Sequence, residues 1–149
     1  MLVQTGAAFA IVLEGINDIG FSQIPPGVFP PSVALTNVSA DEIIAGYQQV
    51  IRRAHAQGLR IFGGTLTPFE GAFYADAAGE AKREAVNRWI RTSGGFDAVI
   101  DFDAAVRDPA DPLRLNPAYD SGDHLHPNDV GYQVMGDLVP LRLLLEGVG

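Results

Sequence analysis

The run AFAIVLE, Ala8 to Glu14, begins with six consecutive apolar residues, among them the branched pair Ile11 and Val12. It is too short for a core helix and shows no polar alternation. That is the pattern of a strand buried on both faces of a parallel sheet. The rest of the chain reads outward from it. GFSQIPPGVFPPSVALTN (Gly20–Asn37) is too rich in proline for a helix. Ser39 then reads as an N-cap, with Glu42 three residues later completing a capping box. The helix it opens, ADEIIAGYQQVIRRAHAQ, places Ile43, Tyr47, Val50, Ile51 and Ala54 on one face and ends at Gly58. LRIFGGT (Leu59–Thr65) is a second buried strand. GEAKREAVNRWIRTSGG (Gly79–Gly95) is a second helix, with Ala81, Ala85, Trp89 and Ile90 along its inner stripe. DAVIDF (Asp97–Phe102) is a third strand. Pro127 sits at or near the start of a last helix, DVGYQVMGDLV, which Pro140 interrupts, and a short apolar tail, LRLLLEG, closes the chain. Strands alternating with helices imply βαβ crossovers and a three-layer α/β/α domain, built on a parallel sheet and spanning residues 1–149.

Composition bounds the function. A chain of 149 residues with 47% hydrophobic side chains can bury a real core. No window approaches the roughly 20 apolar residues of a membrane span. The opening MLVQTGAAFAIVLEG has no positive n-region and reads as a core strand, not a signal peptide. The absence of cysteine excludes disulfides and thiolate metal sites and leaves the compartment open. A net charge of −8, with Lys82 the single lysine, argues against nucleic acid or an anionic membrane as partner. None of this distinguishes an enzyme from a binding protein.

Chemistry gathers where parallel strands end. SGDHLHPNDVGY (Ser121–Tyr132) holds two of the three histidines, and Asp123 and His126 stand three apart, the spacing of a general base and its orienting carboxylate. GIND (Gly15–Asp18) closes the first strand, and TLTP (Thr65–Pro68) follows the second. The GIND and DHLHP blocks together resemble the Gly-x-Asn-Asp and Asp-x-x-His blocks of the SGNH, or GDSL-type, ester hydrolases. TLTP is similar to a Thr/Pro-containing loop common there. The resemblance covers nearly the whole chain. It implies a flavodoxin-like fold and hydrolysis of carboxylic esters without a cofactor or metal. It also implies His126 as base, Asp123 as orienter and Asn17 as side-chain donor to the oxyanion hole. Gly15 would leave room for substrate near the backbone, the loop residues Thr65, Thr67, Pro68 and Phe69 would shape its pocket, and Asp18 would tie down the loop.

Blander readings stand beside these. Asn17 and Asp18 are also ordinary turn residues, and Thr65 to Phe69 an ordinary structural loop. Asn128 or Asp129 can cap the last helix whatever His126 does. In an extended HLH segment both imidazoles would face one way, near Asp120, Asp123 and Asp129, as a metal site requires. His55 reads as a surface residue of its helix.

The departure from the family concerns the nucleophile. Its members carry a Gly-Asp-Ser block and a glycine oxyanion donor well before Gly-x-Asn-Asp, whereas fourteen residues precede Gly15 and no Gly-Asp-Ser occurs. Of the five serines, Ser39 reads as a cap, Ser93 ends a helix and Ser32 follows two prolines. Ser22 and Ser121 remain as substitute nucleophiles. The expectation is a C-terminal portion of such a hydrolase, with the N-terminal strands missing, either a weakly active esterase or a binding domain. The resemblance implies five parallel strands. With three, Ala8–Leu13 becomes an unguarded edge, expected to pair with a second copy in a homodimer or higher oligomer.

Overall fold

The computed structural model describes residues 6–22, 24, 27–28, 30 and 36–145. Three parallel strands, β1 (Phe9–Val12), β2 (Arg60–Gly64) and β3 (Ala98–Ile100), pair in the order β1-β2-β3, with Phe9 opposite Arg60 and Phe62 opposite Ala98. Between and after them run α1 (Ile16–Phe21), α2 (Ala40–Ala56), α3 (Ala77–Thr92), α4 (Phe102–Val106), α5 (Asp129–Asp137) and α6 (Leu141–Leu145).

Strand alternation builds the layers. Successive residues of β2 serve opposite faces. Ile61 joins the core of Ile43, Tyr47, Ile51, Val86 and Ile90 beneath α2 and α3, while Phe62 joins Ile100, Phe102, Val106 and Met135 beneath α4 and α5. Both side chains are wholly buried. A Cβ at Gly63 would sit 2.4 Å from the Phe96 ring, and one at Gly64 would sit 2.7 Å from Phe102. Glycine there lets an aromatic ring lie on the backbone from each side.

Local sequence explains the helix ends. Ser39 and Glu42 form the reciprocal capping box of α2, Asp76 caps α3 and Asn128 caps α5. Four readings need correction. Ile16–Phe21 is a short helix where a loop was expected, started at Gly15 with φ 119° and held by the fully buried Ile19. DAVIDF gives a three-residue strand, because Asp101 ends it by capping α4. The inner stripe of α3 keeps Ile90 and Trp89, which packs on Tyr47 and Phe96, but not Ala81. Arg83, Val86, Asn87 and Ile90 are buried there, and Ala81 is exposed. β1 is fully covered on one face only: Ala10 is buried, whereas on the other face Phe9 is half-buried against Phe62 and Ile11 is exposed. Half of the proline-rich stretch, including Ser32, lies outside the described residues.

The polar residues on α3 tie the layers together. Arg83 donates to the Leu66 carbonyl, to Asp103 and to Glu80. Asn87 both accepts from the Leu66 N–H and donates to its carbonyl. Every buried polar side-chain atom among the described residues has a partner, the condition under which such groups are tolerated.

Candidate functional site

The DHLHP block forms a closed loop whose carboxylates are bound by the loop itself. Its ends are tied by the antiparallel bridge of Asp120 with Pro127 and by bonds from Ser121 N to the His126 carbonyl and from Asn128 N to Tyr119. Inside it, Asp123 Oδ1 accepts from the backbone N–H of His126 at 2.8 Å and of Leu125 at 2.9 Å. Asp123 Oδ2 lies 2.6 Å from His126 Nδ1. These bonds hold the Asp123 carboxyl far below its ordinary value, the His126 N–H first and the His126 ring next. An ionised carboxylate on Nδ1 selects the tautomer with the proton there and leaves the Nε2 lone pair outward.

His126 and Asn17 open onto one cavity of about 150 Å³ at the carboxyl ends of β1 and β2. Leu13, Ile16, Leu66 and Leu125 give it apolar walls, and Thr67 and Tyr132 add polar edges. Asn17 stands exposed on the first turn of α1, and its Oδ1 accepts from the Tyr74 hydroxyl at 3.0 Å. Burial, helped by the Asp123 charge, pushes the Tyr74 phenol up to about 12, so the phenol remains a donor. With Oδ1 so engaged, the Asn17 amide nitrogen is the group left to donate into the cavity. Gly20 makes this possible: a Cβ there would fall 2.4 Å from the Tyr74 ring. A larger cavity of about 400 Å³, beside Phe69, Gly71, Ala75 and Leu113, holds neither Asn17 nor His126. The smaller one is the candidate site because it joins a base to a donor.

The other expected residues fall elsewhere. Thr65 is fully buried, donating to Asp101 and accepting from the Asp103 N–H, whereas Thr67, from the same expected loop, lines the cavity. Pro68 is also fully buried. Gly15 faces inward, where a Cβ would meet the Tyr47 hydroxyl at 3.2 Å and Ile43 at 3.4 Å, so its missing side chain makes room for core, not ligand. Asp18 is exposed on the first turn of α1, where its charge suits the helix amino end, and its carboxylate makes no hydrogen bond to a described residue. Ser22 donates to the Ile19 carbonyl and accepts from Lys82. Ser121 donates to Asp123 Oδ1 at 3.1 Å, on the orienting side of the imidazole. Among the described residues no serine hydroxyl bonds His126 Nε2.

The extended reading of HLH also changes. His124 has φ 62°, so HLH is not extended and its imidazoles are held by different carboxylates. Among the described residues no group of three or more His, Asp or Glu is placed to hold a metal. His55, exposed as expected, pairs with Asp97 at 3.0 Å. Sequence reasoning missed Tyr74, Gly20 and Tyr132. Tyr132 alone carried a signal, one helical turn beyond the Asn128 cap.

Comparison with known proteins gives the family and the fold. The model of the GDSL-like Lipase/Acylhydrolase family matches residues 2–134. A GDSL-like lipase from Bacteroides thetaiotaomicron superposes with a TM-score of 0.70 at 17% identity, and a putative acylhydrolase from Bacteroides fragilis with 0.66 at 20%. Each match covers 93% of this chain and 62% of the other, so the chain spans about three fifths of their length. No curated protein matches the sequence.

Proposed function

Because the chain belongs to the GDSL-like Lipase/Acylhydrolase family, we propose that it carries the base, orienter and oxyanion-donor part of a carboxylic ester hydrolase site. The observation that carries the reading is the single cavity onto which His126 and Asn17 both open, with Asp123 on the far side of the imidazole. In this reading His126 Nε2 takes the proton of a serine hydroxyl as that oxygen attacks the ester carbonyl. The Asn17 amide donates to the oxygen that becomes negative, where a fixed donor contributes most. Collapse of the tetrahedral intermediate expels the alcohol, which leaves with the proton from His126. Water, deprotonated by the same nitrogen, then releases the acid. Asp123 keeps the imidazole oriented throughout and stabilises its charged form.

A second reading is a binding domain without its own nucleophile. It is favoured by the placement of Ser22 on Lys82 and of Ser121 on Asp123. Hydrolysis of p-nitrophenyl acetate separates the two. Removing a triad serine costs about six orders of magnitude in other hydrolases, so slow turnover is expected of the chain alone. A rate above that of His126→Ala supports the hydrolase reading, and equal rates reject it. If Ser22→Ala or Ser121→Ala abolishes turnover as His126→Ala does, that serine is the nucleophile.

A further inference from the structure

A third cavity, of about 290 Å³, opens where α3 meets α4 and the loop that follows it, and neither Asn17 nor His126 lines it. Four of the nine arginines do, Arg83, Arg88, Arg91 and Arg107, against two carboxylates, Glu84 and Asp103, although the chain carries a net charge of −8. Helical spacing gathers the first set: Glu84, Arg88 and Arg91 stand four and three residues apart, on one face of α3. Pro112 and Leu113 add an apolar wall on a loop that is tied closed. Arg107 bridges Leu115, the Asp108 N–H donates to the Arg114 carbonyl, and the Leu113 carbonyl accepts from the Glu70 N–H at 3.1 Å. The cavity is thus formed in advance of any ligand.

Its arginines outnumber the acceptors they can reach. Arg83 is buried and fully engaged, with Glu80, Asp103 and the Leu66 carbonyl. Asp103 must also serve Arg91 and, at 3.8 Å, Arg107. Arg91 spends Nε and Nη2 on Asp101 and Asp103, and its Nη1 has no partner among the described residues. The Arg107 guanidinium makes no hydrogen bond to a described residue. The Arg88 guanidinium makes neither a hydrogen bond nor an ion pair to one, Glu84 included.

We propose that this cavity is an anion-binding site. It takes a small ligand whose carboxylate or phosphate group is held by Arg88, Arg107 and Arg91 Nη1, and whose apolar part lies on Pro112 and Leu113. The class of ligand follows from the donors. A guanidinium is a planar fork of N–H groups that matches two oxygens of one oxyanion, and it cannot shed its charge to relieve crowding. Like charges lining a cleft also focus their field there, so an anion is drawn to this one face of an otherwise acidic chain. The site is separate from the ester cavity and does not rest on it.

The test is ligand titration of the whole chain, followed through the arginine Nε–H signals by NMR. The probes are hexanoate and hexyl phosphate, with hexanol as the neutral body and chloride as a simple anion at the same concentrations. Saturable shifts of Arg88 and Arg107 with hexanoate or hexyl phosphate, and not with hexanol or chloride, are the expected result, and the responsive probe names the head group. Arg88→Gln removes a guanidinium that holds no described part of the fold. It should melt as the parent does and bind at least about tenfold more weakly. Arg52→Gln, which removes an exposed cation of α2 outside the cavity, should bind as the parent does. Shifts that match those with chloride, or an equal loss in Arg52→Gln, show only a general attraction for anions and overturn the site. Equal shifts with hexanol, no shift with either anionic probe, or unchanged affinity in Arg88→Gln overturn it as well.

Discussion

Replacing Gly20 by alanine ought to stabilise a helix and here should do the reverse. Alanine exceeds glycine by up to about 1 kcal/mol in a helix interior, less near the end of a helix as short as α1. Against this, the new methyl would lie 2.4 Å from Tyr74 Cδ2 and Cε2, atoms of a ring that is itself 5% exposed and cannot simply swing into water. Overpacking of this kind costs about 1–3 kcal/mol. Displacing the ring also breaks the bond from Tyr74 to Asn17 Oδ1, about 1 kcal/mol more. The net expectation is a loss of about 1–3 kcal/mol, seen as an earlier urea midpoint at unchanged slope. Gly46→Ala is the matched control. It lies on the exposed face of α2 with no atom within 4 Å of the added carbon, and should gain about 0.5–1 kcal/mol. If Gly20→Ala proves as stable as the parent while Gly46→Ala gains, the close packing of α1 against Tyr74 is wrong. The placement of Asn17 falls with it.

Further outcomes follow from the same structure. Asp103→Ala strands Arg83, which is 3% exposed, with Glu80 as its remaining carboxylate, and should cost about 3–5 kcal/mol in urea unfolding. Asp97, Asp101, Asp120 and Asp123 all titrate lower in the folded chain than their ordinary values. Each therefore adds stability that is complete above the unfolded value of about 3.9 and fades as pH falls through the folded value. Thermal melts should be flat in this respect from pH 7 to about 5 and fall below about 4. A melting temperature that instead rises on acidification would contradict these pairings. At the sheet edge, Ile11 and Leu13 are 40% and 38% exposed. We expect strand β1 to pair with a second copy, giving a dimer by light scattering at micromolar concentration that Ile11→Lys dissociates. A monomeric parent would refute edge pairing.

What could be read from the sequence was what depends on neighbours in the chain. The Ser39–Glu42 box is a local contact, and so is the bond of Asp123 to an imidazole three residues on. Residue types and spacing announce both. The β2 run is legible for a related reason, since a strand covered on both faces needs no polar residue. Contacts decided by distant partners left no such mark. GIND reads as a turn because Gly15, Asn17, Asp18 and Gly20 each favour one. Burial of Ile19 closes the helix, and that depends on where α3 lies. On α3 itself, Arg83 and Asn87 look solvent-facing until the Leu66 backbone and Asp103 are set against them. Thr65 looked available for ligand for the same reason, its hydroxyl being taken up by Asp101 and Asp103 across the sheet. Tyr74 orients the Asn17 amide from 57 residues away.

The central claim is that Asn17 and His126 act on one ester carbonyl. It is tested most directly by a double-mutant cycle on kcat/KM for p-nitrophenyl acetate, using Asn17→Ala, His126→Ala and the pair. Groups that serve a single transition state are not additive. The predicted result is that each single change lowers the rate and that Asn17→Ala costs less in the His126→Ala background than in the parent. A rate unaffected by Asn17→Ala, or losses that multiply in the double variant, would contradict the claim.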